Sequence, residues 1–181
     1  MDKAAIFLDG GYFAKVLKNF GEVKVDFSKF SEILCKNADS ERFRTYYYYC
    51  LPYQSNPPTS EESKRYSDAN RFISSLKKLP RFEIRLGKLS YQSGQFIQKR
   101  VDNLMTVDII KLSATGHIQK AIIVSGDSDL VPAVNEAKDI GVITQIYYFQ
   151  GTIHDELFTL CDDRFEITKE LIESCTRIAQ V

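Results

Sequence analysis

Two spacings of apolar residues alternate along the chain. Residues 4–8 (AAIFL), 43–51, 121–124 and 142–149 are near-continuous apolar runs of strand length, as expected for strands buried on both faces of a mainly parallel sheet. Between them, apolar residues recur every three or four positions, which is helical spacing. Tyr12, Phe13, Val16, Leu17 and Phe20 run up to a stop at Gly21, and Phe27, Phe30, Ile33 and Leu34 follow a capping Asp26. Tyr66, Ala69, Phe72, Ile73, Leu76 and Leu79 line a helix over 60–79 closed by Pro80; Leu130, Ala133, Val134 and Ala137 line another that ends at Gly141. Pro132 is tolerated there because it falls in the first turn. Residues 82–89 alternate instead, which predicts a strand with one wet face. A turn at 90–95 and a short antiparallel return at 96–98 come next, and then a helical stripe of Met105, Ile109 and Leu112 that Asp102 begins. Residues 152–160 read as a short helix, 165–167 as a final edge strand and 168–179 as a closing helix. This alternation over the whole length predicts an α/β fold: a three-layer α/β/α sandwich around a mainly parallel sheet.

Composition narrows the picture. A chain of 181 residues is long enough to bury a real core and predicts a single domain over 1–181. Lys plus Arg equals Asp plus Glu at 24 each, so no overall basic field points to nucleic acid, although local patches or a metal ion could still hold a polyanion. The cysteines at 35, 50, 161 and 175 form no CxxC pair, nothing before Ile6 looks like a signal peptide, and no apolar run nears the roughly 20 residues of a membrane span. A reducing cytoplasm is the expected compartment and no membrane partner is expected. His117 and His154 sit in unrelated contexts, which argues against zinc and leaves acid and base work to carboxylates, water and metal.

The chemistry concentrates where strands end. The run at 121–124 stops abruptly in Ser125-Gly126-Asp127-Ser128-Asp129, and the run at 4–8 stops in Asp9-Gly10-Gly11. In an open α/β sheet such junctions lie at the carboxyl edge, where ligands bind. Asp127 or Asp129 could serve merely as a helix N-cap, but one cap needs one Asp and the other is then unexplained. Asp102 heads its helix on the buried stripe, whereas Asp108, six positions on, lies about 240° round and reads as a solvated or supporting acid. Carboxylates gathered without cations repel one another, and a divalent ion is the simplest remedy. An all-oxygen set without His or Cys favours Mg²⁺ or Mn²⁺, which suits phosphodiester hydrolysis by a metal-activated water. Lys99 and Arg100, just upstream of Asp102, could hold a phosphate, although two solvated side chains at a helix start remain a reasonable reading, for Arg100 in particular.

Two further stretches carry alternatives. Tyr46, Tyr47, Tyr48 and Tyr49 read as an interior strand, and because such a strand cannot offer ring faces to bases, an RNA-stacking platform is the weaker reading. Residues 52–60 (PYQSNPPTS) are equally well a flap beside the site or a mere connection.

DGGYF, KRVD with Asp108 six residues on, and VSGDSDLVP resemble, in that order and spacing, the NYN domains of the PIN-like nuclease superfamily, most closely the bacterial LabA-like (DUF88) branch. The similarity covers about 4–149, leaving 150–181 as a C-terminal elaboration. The resemblance implies a PIN-like fold and a metal-dependent nuclease, an endoribonuclease leaving a 5′-phosphate. It implies Asp9, Asp102, Asp127 and Asp129 as the metal-binding catalytic cluster. Asp108 matches a recurrent acidic position and, with Ser125 and Ser128, is expected to support those ligands, while Lys99, Arg100 and Tyr12 are expected to face substrate. Single-stranded RNA is the expected partner and DNA a possible one. Tyr12 stands where Asn is common, Arg100 where Gly is and Leu130 where Phe is, and none of these changes the acidic count.

Three rivals compete. A haloacid-dehalogenase-like phosphatase needs a second acid two residues after the nucleophile, where this chain has Gly11. A catalytically weak PIN-like module that binds RNA or protein is opposed by the retention of four acids. A Rossmann cofactor site lacks GxGxxG.

Overall fold

The structure is a computed structural model that describes residues 1–92, 95–99 and 101–176, with side chains described outside 88–102. The chain runs β1 (Asp2–Asp9), α1 (Gly10–Lys18), α2 (Phe27–Asn37), β2 (Ser40–Cys50), α3 (Ser60–Leu76), β3 (Phe82–Gln92), β4 (Gln95–Lys99), α4 (Val101–Ala114), β5 (Lys120–Val124), a 3₁₀ turn at Ser128–Leu130, α5 (Val131–Asp139), β6 (Ile143–Tyr148), α6 (Asp155–Leu160), β7 (Asp163–Glu166) and α7 (Lys169–Ser174). The sheet order is β4-β3-β2-β1-β5-β6-β7. Six of these strands are mutually parallel, and β4 returns antiparallel on β3.

The apolar run at 4–8 becomes the sheet's middle strand because both of its faces are covered. Ala4, Ile6 and Leu8 pack with Phe13, Phe30 and Leu34 on one side, and Ala5 and Phe7 pack with Ile109, Ala133 and Val134 on the other. The first layer holds α1, α2, α3 and α7; the second holds α4, α5 and α6. The expected α/β/α sandwich is therefore the observed one. Local chemistry sets the helix starts: Asp26 accepts from the N–H of Ser28 (3.0 Å) and Lys29 (3.1 Å), Thr59 and Glu62 form a reciprocal capping box, and Pro132 sits in the first turn of α5.

The differences lie at element ends. β3 continues to Gln92 and β4 starts at Gln95, so both strands extend into the expected turn at 90–95, of which residues 93–94 lie outside the described residues. The last strand begins at Asp163, earlier than 165, and α7 ends at Ser174, with 177–181 outside the described residues. The loop at 52–60 is tethered to α3, since the Ser55 Oγ donates to Glu62 Oε2 at 2.5 Å. Among the described residues no helix is long and apolar enough to cross a membrane.

Candidate active site

Parallel pairing of β1 with β5 sets Leu8 opposite Val124, so the residues that follow, Asp9 and Ser125, leave the same edge of the sheet side by side. Asp9 caps α1: its Oδ1 accepts from the Tyr12 N–H at 2.9 Å, and its Oδ2 accepts from the Ser125 hydroxyl at 3.4 Å. Ser125 Oγ in turn accepts from the Asp127 N–H at 3.3 Å. The fully buried Ser125 thus ties the two acidic loops together. Burial lifts the Asp9 carboxyl above its ordinary range, the Tyr12 and Gly11 N–H groups pull it part-way back, and the charge of Asp127 adds to the rise.

A cleft of about 310 Å³ opens over this pair, lined by Asp9, Gly11, Tyr12, Lys15, Ser125, Gly126 and Asp127. Two glycines beside it let neighbouring elements approach closely. A Cβ on Gly10 would lie 2.5 Å from the Tyr47 ring, and one on Gly126 would lie 2.1 Å from the Thr152 carbonyl oxygen. The loop carrying Thr152 is pinned over the site. The Tyr12 hydroxyl accepts from the Phe149 N–H (2.9 Å) and bonds Thr152 Oγ1 (2.8 Å), and the His154 N–H reaches the Gly126 carbonyl at 3.1 Å.

The expected site residues are placed unevenly. Asp9 and Asp127 face one cleft. Asp127 is also the cap of the 3₁₀ turn, its Oδ1 accepting from the Asp129 N–H at 3.0 Å, and Asp129 itself is exposed outside the cleft lining. Ser128 opens that turn and is half-buried. Asp108 is neither solvated nor in the cleft: Tyr48 donates to its Oδ2 at 2.9 Å and Arg85 Nε at 2.8 Å, so its charge is already matched. Asp102 is the second residue of α4, but its side chain lies outside the described residues, as do Arg100 and the side chain of Lys99. The backbone register still brings that segment to the right edge. Lys99 pairs with Lys88, one residue past Gly87, which pairs with Cys50, two residues beyond the Tyr48 that pairs with Asp9. Among the described residues no three His, Cys, Asp or Glu side chains gather as a metal site.

Sequence reasoning passed over Lys15. It lies one helical turn beyond Gly11 and Tyr12 and so shares their face of α1, a spacing that could have disclosed it. Among the described residues it has no ion-pair partner, which leaves it an available cation at the mouth of an acidic cleft.

The sequence profile of the NYN domain matches residues 3–171 of this chain. No curated protein matches it significantly. Among solved structures, the crystal structure of a Vibrio parahaemolyticus protein of unknown function, VPA0982, is similar with a TM-score of 0.69 and 17% identity, over 92% of this chain and 93% of that one. At that identity the likeness concerns the fold alone.

Proposed function

The chain belongs to the NYN domain family, whose members are PIN-like nucleases, and from that premise we propose that it is a metal-dependent ribonuclease that hydrolyses single-stranded RNA. The observation that carries the reading is the convergence of Asp9 and Asp127 from adjacent parallel strands on one cleft, with Lys15 at its mouth. An all-oxygen pair of carboxylates, one held above its ordinary pKa partly by the other, fits a hard divalent ion. Mg²⁺ in particular binds through one or two carboxylates plus substrate phosphate. Asp9 and Asp127 would hold Mg²⁺ or Mn²⁺, with Asp102 and Asp129 proposed to add ligands. When bound, the ion would supply charge stabilisation at phosphorus and a water of lowered pKa.

The chain's own residues do the rest. Ser125 orients Asp9, and Tyr12 with Gly126 fixes the loop carrying Thr152 against the residues that line the cleft. Lys15, with Lys99 and Arg100 proposed beside it, holds a phosphate in ground state and transition state alike. Asp108 supports the edge through Tyr48 and Arg85 and stays clear of the metal. Three motifs, DGGYF, KRVD and VSGDSDL, favour the LabA-like branch. A cytoplasmic setting suits Cys35, Cys161 and Cys175, whose thiols burial pushes up to about 11, about 12 and about 11.

The second reading, a PIN-like binding module with little turnover, is favoured by one observation: Asp9, Asp127 and Asp129 do not close into a three-acid cluster. Cleavage of a mixed RNA and DNA panel with Mn²⁺ and with excess EDTA separates the two. The nuclease reading expects cutting only with Mn²⁺, a loss in kcat of about 100-fold or more in Asp127→Asn, and a loss in both kcat/KM and affinity in Lys15→Ala. RNA bound but uncut with Mn²⁺ would establish the module instead.

A further inference from the structure

Beside the acidic cleft, across α1, lies a second concavity of about 470 Å³ of a different chemical character. Its walls are Phe13, Ala14 and Leu17 of α1, Val23 to Val25 and Phe27 beyond it, and Phe72 and Ser75 of α3, and its floor is Tyr47 and Tyr49 of β2. Helices α1 and α3 do not close over the end of β2, so Tyr49 and Phe72 keep partly exposed rings in an otherwise tight aromatic cluster. Phe27, Tyr47 and Phe72 meet edge to face at 5.6 to 5.8 Å, and Tyr49 lies 6.2 Å from Tyr47 at a 31° tilt.

The groove and the cleft share their partition. Neighbouring residues of α1, about 100° apart on the helix, border different concavities, Lys15 the cleft and Ala14 the groove. The Tyr47 ring that floors the groove is the one pressed against Gly10, next to Asp9. The rim is cationic: Lys15 stands at the cleft and Lys24 at the groove, both exposed, and α1 carries no acidic residue. Phosphates tracking along such a rim would place a base over an aromatic floor, the combination that single-strand binders use without reading sequence.

We infer that this aromatic groove takes a nucleobase of the strand whose phosphate lies in the Asp9–Asp127 cleft, with Tyr49 and Phe72 as the stacking rings and Lys24 on the adjoining phosphate. The inference rests on the nucleic-acid reading of the cleft, and it makes Tyr49 and Phe72 binding residues that take no part in the chemical step.

The test uses a short single-stranded RNA carrying one 2-aminopurine, titrated with the full chain in EDTA so that nothing is cut; cutting of the same RNA with Mn²⁺ is measured separately. The wild type should change the 2-aminopurine fluorescence on binding. Tyr49→Ala should bind about 5- to 100-fold more weakly, and Tyr49→Phe, which keeps the ring, should bind like wild type. Ser75→Trp, at an exposed lining position that burdens no core, should block the groove and lose the fluorescence change even if Tyr49→Ala folds poorly. With Mn²⁺, Tyr49→Ala should raise KM and leave kcat within about threefold. A fluorescence change that both variants abolish upholds the groove even where wild type leaves RNA uncut, a result that would count against the nuclease reading alone. The inference is overturned if the wild type gives no fluorescence change, or if both variants bind like wild type while wild type cuts. It is equally overturned if sedimentation shows a dimer that Ser75→Trp dissociates with RNA affinity unchanged, since the groove would then seat a second copy.

Discussion

At the scale of single residues, the acids that look interchangeable in the sequence have separate fates. Asp127 serves as both the cap of its turn and the acid of the cleft, so capping does not free one Asp of the pair for the cleft as the sequence leads us to expect; the acid that caps nothing, Asp129, is exposed outside the cleft lining. Asp9 combines the same two roles under a heavier burden, because burial and Asp127 both oppose its charge. Its raised pKa means that ionisation weakens the metal-free fold as pH rises through the folded-state value, whereas below the unfolded value the protonated group costs nothing. Asn preserves the cap and removes the charge. Asp9→Asn should therefore raise the melting temperature in EDTA at pH 8 and lose that advantage on acidification toward pH 4, while abolishing Mn²⁺ binding by calorimetry. A melting temperature at pH 8 below that of wild type would remove the account of Asp9 as an uncompensated charge. Gly126 is constrained by backbone, not by a movable side chain, because the obstacle to a Cβ is the Thr152 carbonyl. Gly126→Ala should cost about 3 kcal/mol, the upper end of overpacking, read from urea unfolding with the m-value unchanged.

At the scale of elements, what the sequence makes legible follows from period. Strands buried on both faces and helices with one apolar stripe announce themselves, and each one expected is present, displaced only at its ends. What escapes is whatever depends on packing between elements. The four tyrosines of β2 do form an interior strand, with Tyr46 and Tyr48 on one face and Tyr47 and Tyr49 on the other, but no one-dimensional pattern tells that α1 and α3 part over Tyr49. Likewise Asp108 reads from helical phase as either solvated or supporting, and the sequence cannot choose, because its partners Tyr48 and Arg85 come from two strands far away in sequence. The same holds at Asp162, which no periodicity singles out. Burial disfavours its charge, but the Thr144 N–H (2.8 Å), the Thr144 hydroxyl (2.7 Å) and Lys138 (3.1 Å) outweigh that and hold its pKa below the ordinary value. A lowered folded-state pKa contributes stability above the unfolded value near 3.9, and that contribution is lost as pH falls through the folded one. Asp162→Asn should thus cost well under about 1 kcal/mol at pH 7, because solvent screens the partly exposed pair, and the difference should close near pH 3 in urea titrations. A penalty equal at both pH values would mean that the amide geometry, not the charge, holds β6 to the α6 end.

At the scale of the whole molecule, equal numbers of acids and bases conceal a polarity between the two edges of the sheet. The carboxyl edge bears the acidic cleft with Lys15 and Lys24 nearby, whereas the opposite edge bears a basic hollow of about 440 Å³ lined by Lys3, Arg42, Arg44 and Arg81 with Glu41 and Glu83. By charge alone the basic hollow is the better place for RNA. By bonding it is the worse one, because Arg44 and Arg81 are already engaged with acids or a carbonyl, and Arg42 Nη1, which has no hydrogen-bond partner among the described residues, is buried away from solvent. Arg81 donates to Glu41 (3.1 Å) and to the Arg42 carbonyl (2.7 Å), Arg44 pairs with Glu83 (3.5 Å), and Arg42 donates to the Pro80 carbonyl (3.2 Å). Binding RNA there would have to break those contacts, whereas Lys15 at the carboxyl edge has no ion pair to give up among the described residues. Two consequences can be measured together. The four cations proposed to meet phosphate, Lys15, Lys24, Lys99 and Arg100, predict a slope of log K against log salt of about −3 for a single strand, shallower than for a strongly basic binder. An Arg44→Ala, Arg81→Ala double variant should leave that slope and the affinity unchanged, and Lys15→Ala should make the slope less steep by about 0.7. If the arginine pair moved the slope and Lys15 did not, the strand would lie on the wrong edge of the sheet for Asp9 and Asp127 to reach it.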